Sequence, residues 1–192
     1  MSAALQPPST AAAFLAWLGG REERYEFDGL RPVAMTGGNA RHNRIVTNIH
    51  AALRTRLRGT PCAFFGPDLG VRTIGERVRF PDALITCARF PDTAELAPDV
   101  RVIFEVLSPT SGRTDRIVKV QEYAAIASMR RYVIVESRFP GVLVLHRMNA
   151  GDAWTALALT AEELLDLPEA GATVAIADFY EDVDFSAGLE AD

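Results

Sequence analysis

Twenty basic residues occur among the 192 of this chain, and the only lysine among them is Lys119. The two kinds of cation are not equivalent. A lysine amine can shift its pKa and move a proton, whereas a guanidinium cannot. Two carboxylates precede it on strand-like segments. Glu105 stands near the C-terminal end of the apolar run Val102-Ile103-Phe104-Glu105-Val106-Leu107, and Asp82 follows Pro81 at the head of Asp82-Ala83-Leu84-Ile85. A run as apolar as Val100–Leu107 reads as a strand buried on both faces. A carboxylate inside it is costly unless it is paired or holds a metal. Two carboxylates on adjacent strands suit a hard divalent cation such as Mg2+, which takes oxygen ligands and keeps several waters. Pairing of Glu105 with one of the many arginines is the plainer alternative.

Asp115, Lys119 and Tyr123 recur at i, i+4 and i+8, so they share one face of a helix that follows the Glu105 strand. Ile117, Val120, Ala124 and Ala127 form a second, apolar stripe expected to pack on the sheet. By spacing alone, the polar stripe is equally well a solvated face with one weak ion pair.

The elements that must position these groups are legible in outline. Ser9 or Thr10 caps a short helix ending at Gly19-Gly20. Arg24–Phe27 and Arg31–Thr36 flank Asp28-Gly29, a hairpin signal. Asn39 opens the longest helical pattern, to about Arg58, with Ile45, Ile49 and Leu53 recurring at helical spacing. Strands are expected over Cys62–Phe65, Leu69–Ile74, Val78–Phe80, Asp82–Cys87 and Val100–Leu107, the last stopped by Ser108-Pro109. A helix over about Thr114–Ala127 follows, then strands at Tyr132–Glu136, Val142–Arg147 and Trp154–Leu159. Thr160-Ala161-Glu162-Glu163 matches a capping box for another short helix. The order predicts one α/β (α+β) domain with a central mixed sheet flanked by helices.

Composition is that of a globular domain, 48% apolar and 23% charged. The net charge of −5 speaks mildly against a general nucleic-acid binder. It comes from an acidic tail: six acids and no base lie between Asp178 and Asp192, leaving 19 acids against 20 bases elsewhere. Cys62 and Cys87 have no metal-ligand spacing and read as small core residues in a reducing compartment. No apolar run approaches a membrane span, and Met1–Thr10 lacks a signal-peptide pattern, so a cytoplasmic location is expected.

Pro81-Asp82, followed by Glu105-Val106-Leu107, resembles the PD-(D/E)xK nuclease motif. The fuller string Glu105-Val106-Leu107-Ser108-Pro109-Thr110, with Asp115, Lys119, Tyr123 and the strand Arg131-Tyr132-Val133-Ile134-Val135, is similar to the Uma family of putative restriction endonucleases within that superfamily. Tyr25-Glu26-Phe27-Asp28-Gly29, Met35 and His42 agree with it. The resemblance spans about residues 14–185 and implies a single restriction-endonuclease-like domain over 1–192. Leu107 stands where the superfamily lysine is expected, so the basic role would pass to Lys119. Its spacing to Tyr123 also resembles the helix motif of RecB-like nucleases, with lysine in place of glutamine. Lys119 would then act in catalysis or position a phosphate.

The resemblance implies Mg2+- or Mn2+-dependent hydrolysis of DNA. Asp82 and Glu105 would hold the metal, with Glu26 as third carboxylate and the Val106 carbonyl as a further ligand. Lys119 would serve the attacking water or the transition state, and Tyr123 would support Lys119 or touch phosphate. His42, Arg41 and Arg44 would contact the DNA backbone from the arginine-rich helix, although an exposed His42 and a solvated helix face explain the same pattern. A homodimer is expected, with the Val142–Arg147 strand region offering an edge. The alternatives are a non-catalytic nucleic-acid-binding or assembly module on the same fold, and a metal-dependent hydrolase of another phosphoester.

Overall fold

The structure, a computed structural model, describes residues 7–107 and 113–186, without the side chains of 113–116. Ser108-Pro109-Thr110, the Asp115 side chain, Glu190 and Asp192 therefore lie outside the described residues. In chain order the elements are α1 (Ala11–Leu18), β1 (Tyr25–Phe27), β2 (Pro32–Ala34), α2 (Ala40–Arg56), β3 (Ala63–Phe65), β4 (Val71–Arg72), β5 (Val78–Arg79), β6 (Ala83–Thr86), β7 (Val100–Val106), α3 (Arg113–Ala124), β8 (Arg131–Val135), β9 (Gly141–His146), β10 (Thr155–Thr160), β11 (Leu164–Leu167) and β12 (Ala172–Ala175).

The central sheet has six strands in the order β10-β9-β8-β7-β6-β3. Only β7 and β8 run parallel, with Glu105 beside Ile134. A parallel pair needs a crossover, and α3 supplies it. This places the lysine-bearing helix over the strand that carries Glu105. Strand β7 is buried on both faces, as its apolar run predicts. On one side Val102, Phe104 and Val106 pack with Ile45, Ile49 and Leu53 of α2. On the other, Ile103 and Leu107 share a cluster with Tyr123, Met129 and Tyr132. A second sheet, β2-β1-β5-β4, carries Glu26 and Arg79, with α1 packed on it through Phe14 and Phe27, ring centroids 5.2 Å apart. The hairpin forms as expected, but over the four-residue loop 28–31. Asp28 Oδ1 accepts from the amides of Leu30 and Arg31, and Gly29 has φ +90°. Among the described residues no helix is long and apolar enough to cross a membrane.

Four expectations are corrected. Thr160–Glu163 starts no helix. The capping-box contact forms, with Glu163 Oε2 accepting from the Thr160 amide at 2.7 Å. The chain then enters β11, because Leu165 and Leu167 alternate into the core opposite β12. Val142–Arg147 is not an edge: β9 lies between β8 and β10, and β10 is the outer strand. The apolar stripe of α3 does not face the sheet throughout, since Ile117 is 57% exposed while Glu122 and Tyr123 are buried. Finally, Cys62 and Cys87 are not independent thiols but a disulfide. Ala63 pairs with Thr86, so the two cysteines face each other at the next position, Cα atoms 3.9 Å apart.

Candidate active site

Five elements converge on a cleft of about 290 Å3 lined by Glu26, His42, Asp82, Glu105, Val106 and Lys119 among others. Glu105 comes from β7, at the end nearest the start of α3. Its Oε1 accepts from Lys119 Nζ at 3.1 Å and from the Tyr123 hydroxyl at 2.6 Å. Lys119 Nζ also lies 3.8 Å from Glu26 Oε1. The i, i+4 pair on α3 thus grips one carboxylate oxygen, so Lys119 and Tyr123 face the cleft rather than solvent. Burial pushes the Glu105 carboxyl up to about 7; Lys119 opposes this, the nearby Asp82 and Glu26 carboxylates add to it, and the Tyr123 hydrogen bond lowers it again. The Tyr123 hydroxyl is held in its protonated form by burial and by Glu105.

Asp82 precedes β6. Its Oδ2 accepts from the Val106 amide at 2.8 Å, which ties it to the residue after Glu105. His42 Nε2 stands 3.4 Å from the same oxygen. This hydrogen bond raises the His42 pKa against the opposing effect of burial, with the charges of Asp82 and Glu105 adding to the rise. His42 sits in the first turn of α2, where the Asn39 side chain accepts from its amide. A Cβ on Gly38 would lie 2.5 Å from His42 Nδ1, so only glycine lets the preceding loop lie on the imidazole. His50, one face further along α2, bonds the Asp82 carbonyl oxygen at 2.8 Å.

Beneath the cleft lies an ion cluster that the sequence did not reveal. Arg79 donates through Nε and Nη2 to both oxygens of Glu122, at 2.6 and 2.7 Å, and through Nη1 to Glu26 Oε2 at 2.9 Å. All three residues are buried. The two carboxylates hold the guanidinium charged despite the cost of burial. The partial signal was that Lys119, Glu122 and Tyr123 lie at i, i+3 and i+4, one patch of helix. Nothing local pointed to a partner 43 residues away.

Arg41 and Arg44 stand apart from this convergence. Arg44 Nη1 donates to the Asp182 carbonyl at 3.0 Å, and the Arg41 guanidinium lies 5.6 Å from the Phe185 ring centre. Both engage the C-terminal segment.

Among the described residues no three His, Cys, Asp or Glu side chains are grouped as a metal cage. Glu26 has one oxygen on Arg79, and the other accepts from the Phe80 amide at 3.4 Å. Asp82 and Glu105 still have the right chemistry for a hard cation. They offer carboxylate oxygens to one cleft, and their mutual repulsion is what a divalent charge would relieve.

The uncharacterized protein slr1290 of Synechocystis sp. (strain ATCC 27184 / PCC 6803 / Kazusa) is 25% identical over 181 residues, covering 93% of this chain and 95% of its own length. The crystal structure of a putative nuclease belonging to DUF820 from Anabaena variabilis ATCC 29413 has a TM-score of 0.67 at 18% identity, over 91% of this chain and 98% of that one. That likeness establishes a shared fold. The family model for Uma2, described as "Putative restriction endonuclease", matches residues 11–177. With that match spanning the whole set of elements from α1 to the end of β12, the chain belongs to the Uma2 family.

Proposed function

We propose that this protein is an endonuclease that hydrolyses DNA phosphodiester bonds with Mg2+ or Mn2+. The observation that carries the reading is the half-buried amine of Lys119 on Glu105, in one cleft with Asp82. Asp82, Glu105 and the Val106 carbonyl would hold the cation, with Glu26 beside them as the third carboxylate. A cation bound there supplies Lewis-acid polarisation of the phosphoryl oxygen and a more acidic bound water. Lys119 orients the attacking water or offsets charge on the phosphorane-like transition state. Tyr123 donates to Glu105 and thereby fixes the oxygen that Lys119 also touches. His42, made more basic by Asp82, lines the cleft where a phosphate oxygen would rest. Arg79 holds Glu26 and Glu122 in place from below. Arg41 and Arg44 extend positive charge along α2 toward a DNA backbone, and a homodimer would present two such clefts to two strands.

A second reading, a nucleic-acid-binding or assembly module, draws on one observation: Glu26 is already committed to Arg79. The two readings separate in one assay. Supercoiled plasmid and single-stranded DNA are incubated with purified protein in Mg2+, Mn2+ or EDTA. Cleavage that needs the metal and is lost in Lys119→Ala supports the nuclease. No cleavage of either substrate, together with no heat of Mg2+ or Mn2+ binding, would sink it.

A further inference from the structure

Next to the catalytic cleft lies a larger hollow, about 550 Å3, that the reaction above does not use. The wall between them is one short loop. Pro67 lines the cleft, while its neighbours Gly66 and Asp68 line the hollow. Arg24, itself in the cleft wall, fastens that loop by donating to the Pro67 carbonyl and lying 3.7 Å from Asp68. The floor of the hollow is aromatic. Phe65, at the end of β3, and Phe90, beyond β6, have ring centroids 5.3 Å apart and planes tilted by 47°. Both rings are partly accessible, and Leu69 adds apolar wall. The rim carries Arg89, Asp68 and Asp92, all exposed.

This combination suits one part of a nucleotide. Aromatic faces stack on any base, because every base has a π face. A guanidinium can donate to ring nitrogens and carbonyls, and carboxylates can accept from ring N–H and exocyclic amino groups. With two carboxylates against one guanidinium, the rim favours an uncharged base over a phosphate. Resting on the nuclease reading, the geometry points to a nucleobase subsite: the Phe65–Phe90 hollow takes an unstacked base next to the phosphodiester held in the cleft. Unstacking costs least in single strands and at mismatches, so those substrates are favoured over intact duplex.

The probes are the uncharged nucleosides adenosine, guanosine, cytidine and thymidine, titrated into full-length protein with labelled phenylalanine and followed by NMR. Their binding does not require cleavage, so this test can succeed where the nuclease reading fails, and the reverse. The expected result is saturable shifts of the Phe65 and Phe90 ring signals by at least one nucleoside. The second measurement is single-stranded oligonucleotide affinity with Ca2+ in place of Mg2+. Phe90→Leu, which keeps an apolar side chain and the fold, is expected to bind about tenfold more weakly, the loss of one base stack. Unmoved ring signals, or a Phe90→Leu protein that binds the oligonucleotide as the parent does, would overturn the assignment.

Discussion

The two faces of β7 are covered by helices that pack by opposite rules. Helix α2 lies on its face through Ile45, Ile49 and Leu53, all fully buried among aliphatic and aromatic neighbours. Helix α3 turns Lys119, Glu122 and Tyr123 inward, against Glu105, Arg79 and Glu26. Each apolar side chain buried under α2 contributes about 1.5–3 kcal/mol. The ionic face under α3 offers no such gain, because desolvating charges offsets much of their attraction. A fold selected for stability alone would have packed both helices like α2. The α3 face instead sets an amine against a carboxylate, at the cost of desolvating both.

That contrast can be broken experimentally, beginning with the largest effect. Lys119→Ala is expected to lower the cleavage rate by about 10²- to 10⁴-fold, the range for a positioned proton-transfer or charge-stabilising group. Its melting temperature should fall only modestly, because Tyr123 still holds Glu105 and a carboxyl already raised to about 7 can take up a proton in place of the lost amine. Leu53→Ala on the opposite helix should do the reverse, lowering stability by about 2–5 kcal/mol while the residual folded protein cuts normally. A Lys119→Ala protein that cleaves like the parent would erase the functional half of the comparison.

Arg79→Met should cost about 3–5 kcal/mol in urea unfolding, because it leaves Glu26 and Glu122 buried without their cation. Adding Glu122→Leu should restore part of that loss. If the double variant is no more stable than Arg79→Met, the α3 face is not governed by uncompensated charge.

Glu105 sharpens the comparison through pH. Its carboxyl is raised from 4.5 to about 7 in the folded protein, so its favourable contribution is complete below about pH 4.5 and is lost as pH rises to about 7. Glu105→Gln removes that dependence. In metal-free buffer its melting temperature should gain on the parent's between these limits, and parallel curves would show that burial does not burden this group. The smallest effect is expected at Asn39→Ala, about 1 kcal/mol from the lost cap of α2, measured by the same unfolding assay.

Periodicity and local chemistry made much of the frame readable before any contact was known. The 3.6-residue repeat of Ile45, Ile49 and Leu53 marked the buried face of α2, and Asn39 marked its start. The apolar run around Glu105 marked a strand covered on both sides. Where local signals failed, a distant partner outweighed them. Ile117 and Val120 suggested an apolar inner face for α3; Val120 does pack on the core, but Ile117 is exposed, and Glu105 and Arg79 draw polar residues inward beside it. The capping box at Thr160 made its bonds but yielded to the pairing of β11 with β12. His42 could be read as exposed until Asp82, on another element, was found beside it.

By itself, then, the sequence determined the order of elements from α1 to β10, the strand that buries a carboxylate and the identity of the one amine, because these follow from residue type and spacing along the chain. Only the tertiary structure decided which groups meet: Lys119 with Glu105, Arg79 with Glu122, Cys62 with Cys87. The reason is physical. A buried charge is stable only where its partner lies within hydrogen-bond reach, and those partners are brought in from 14 and 43 residues away by strand order and helix crossover.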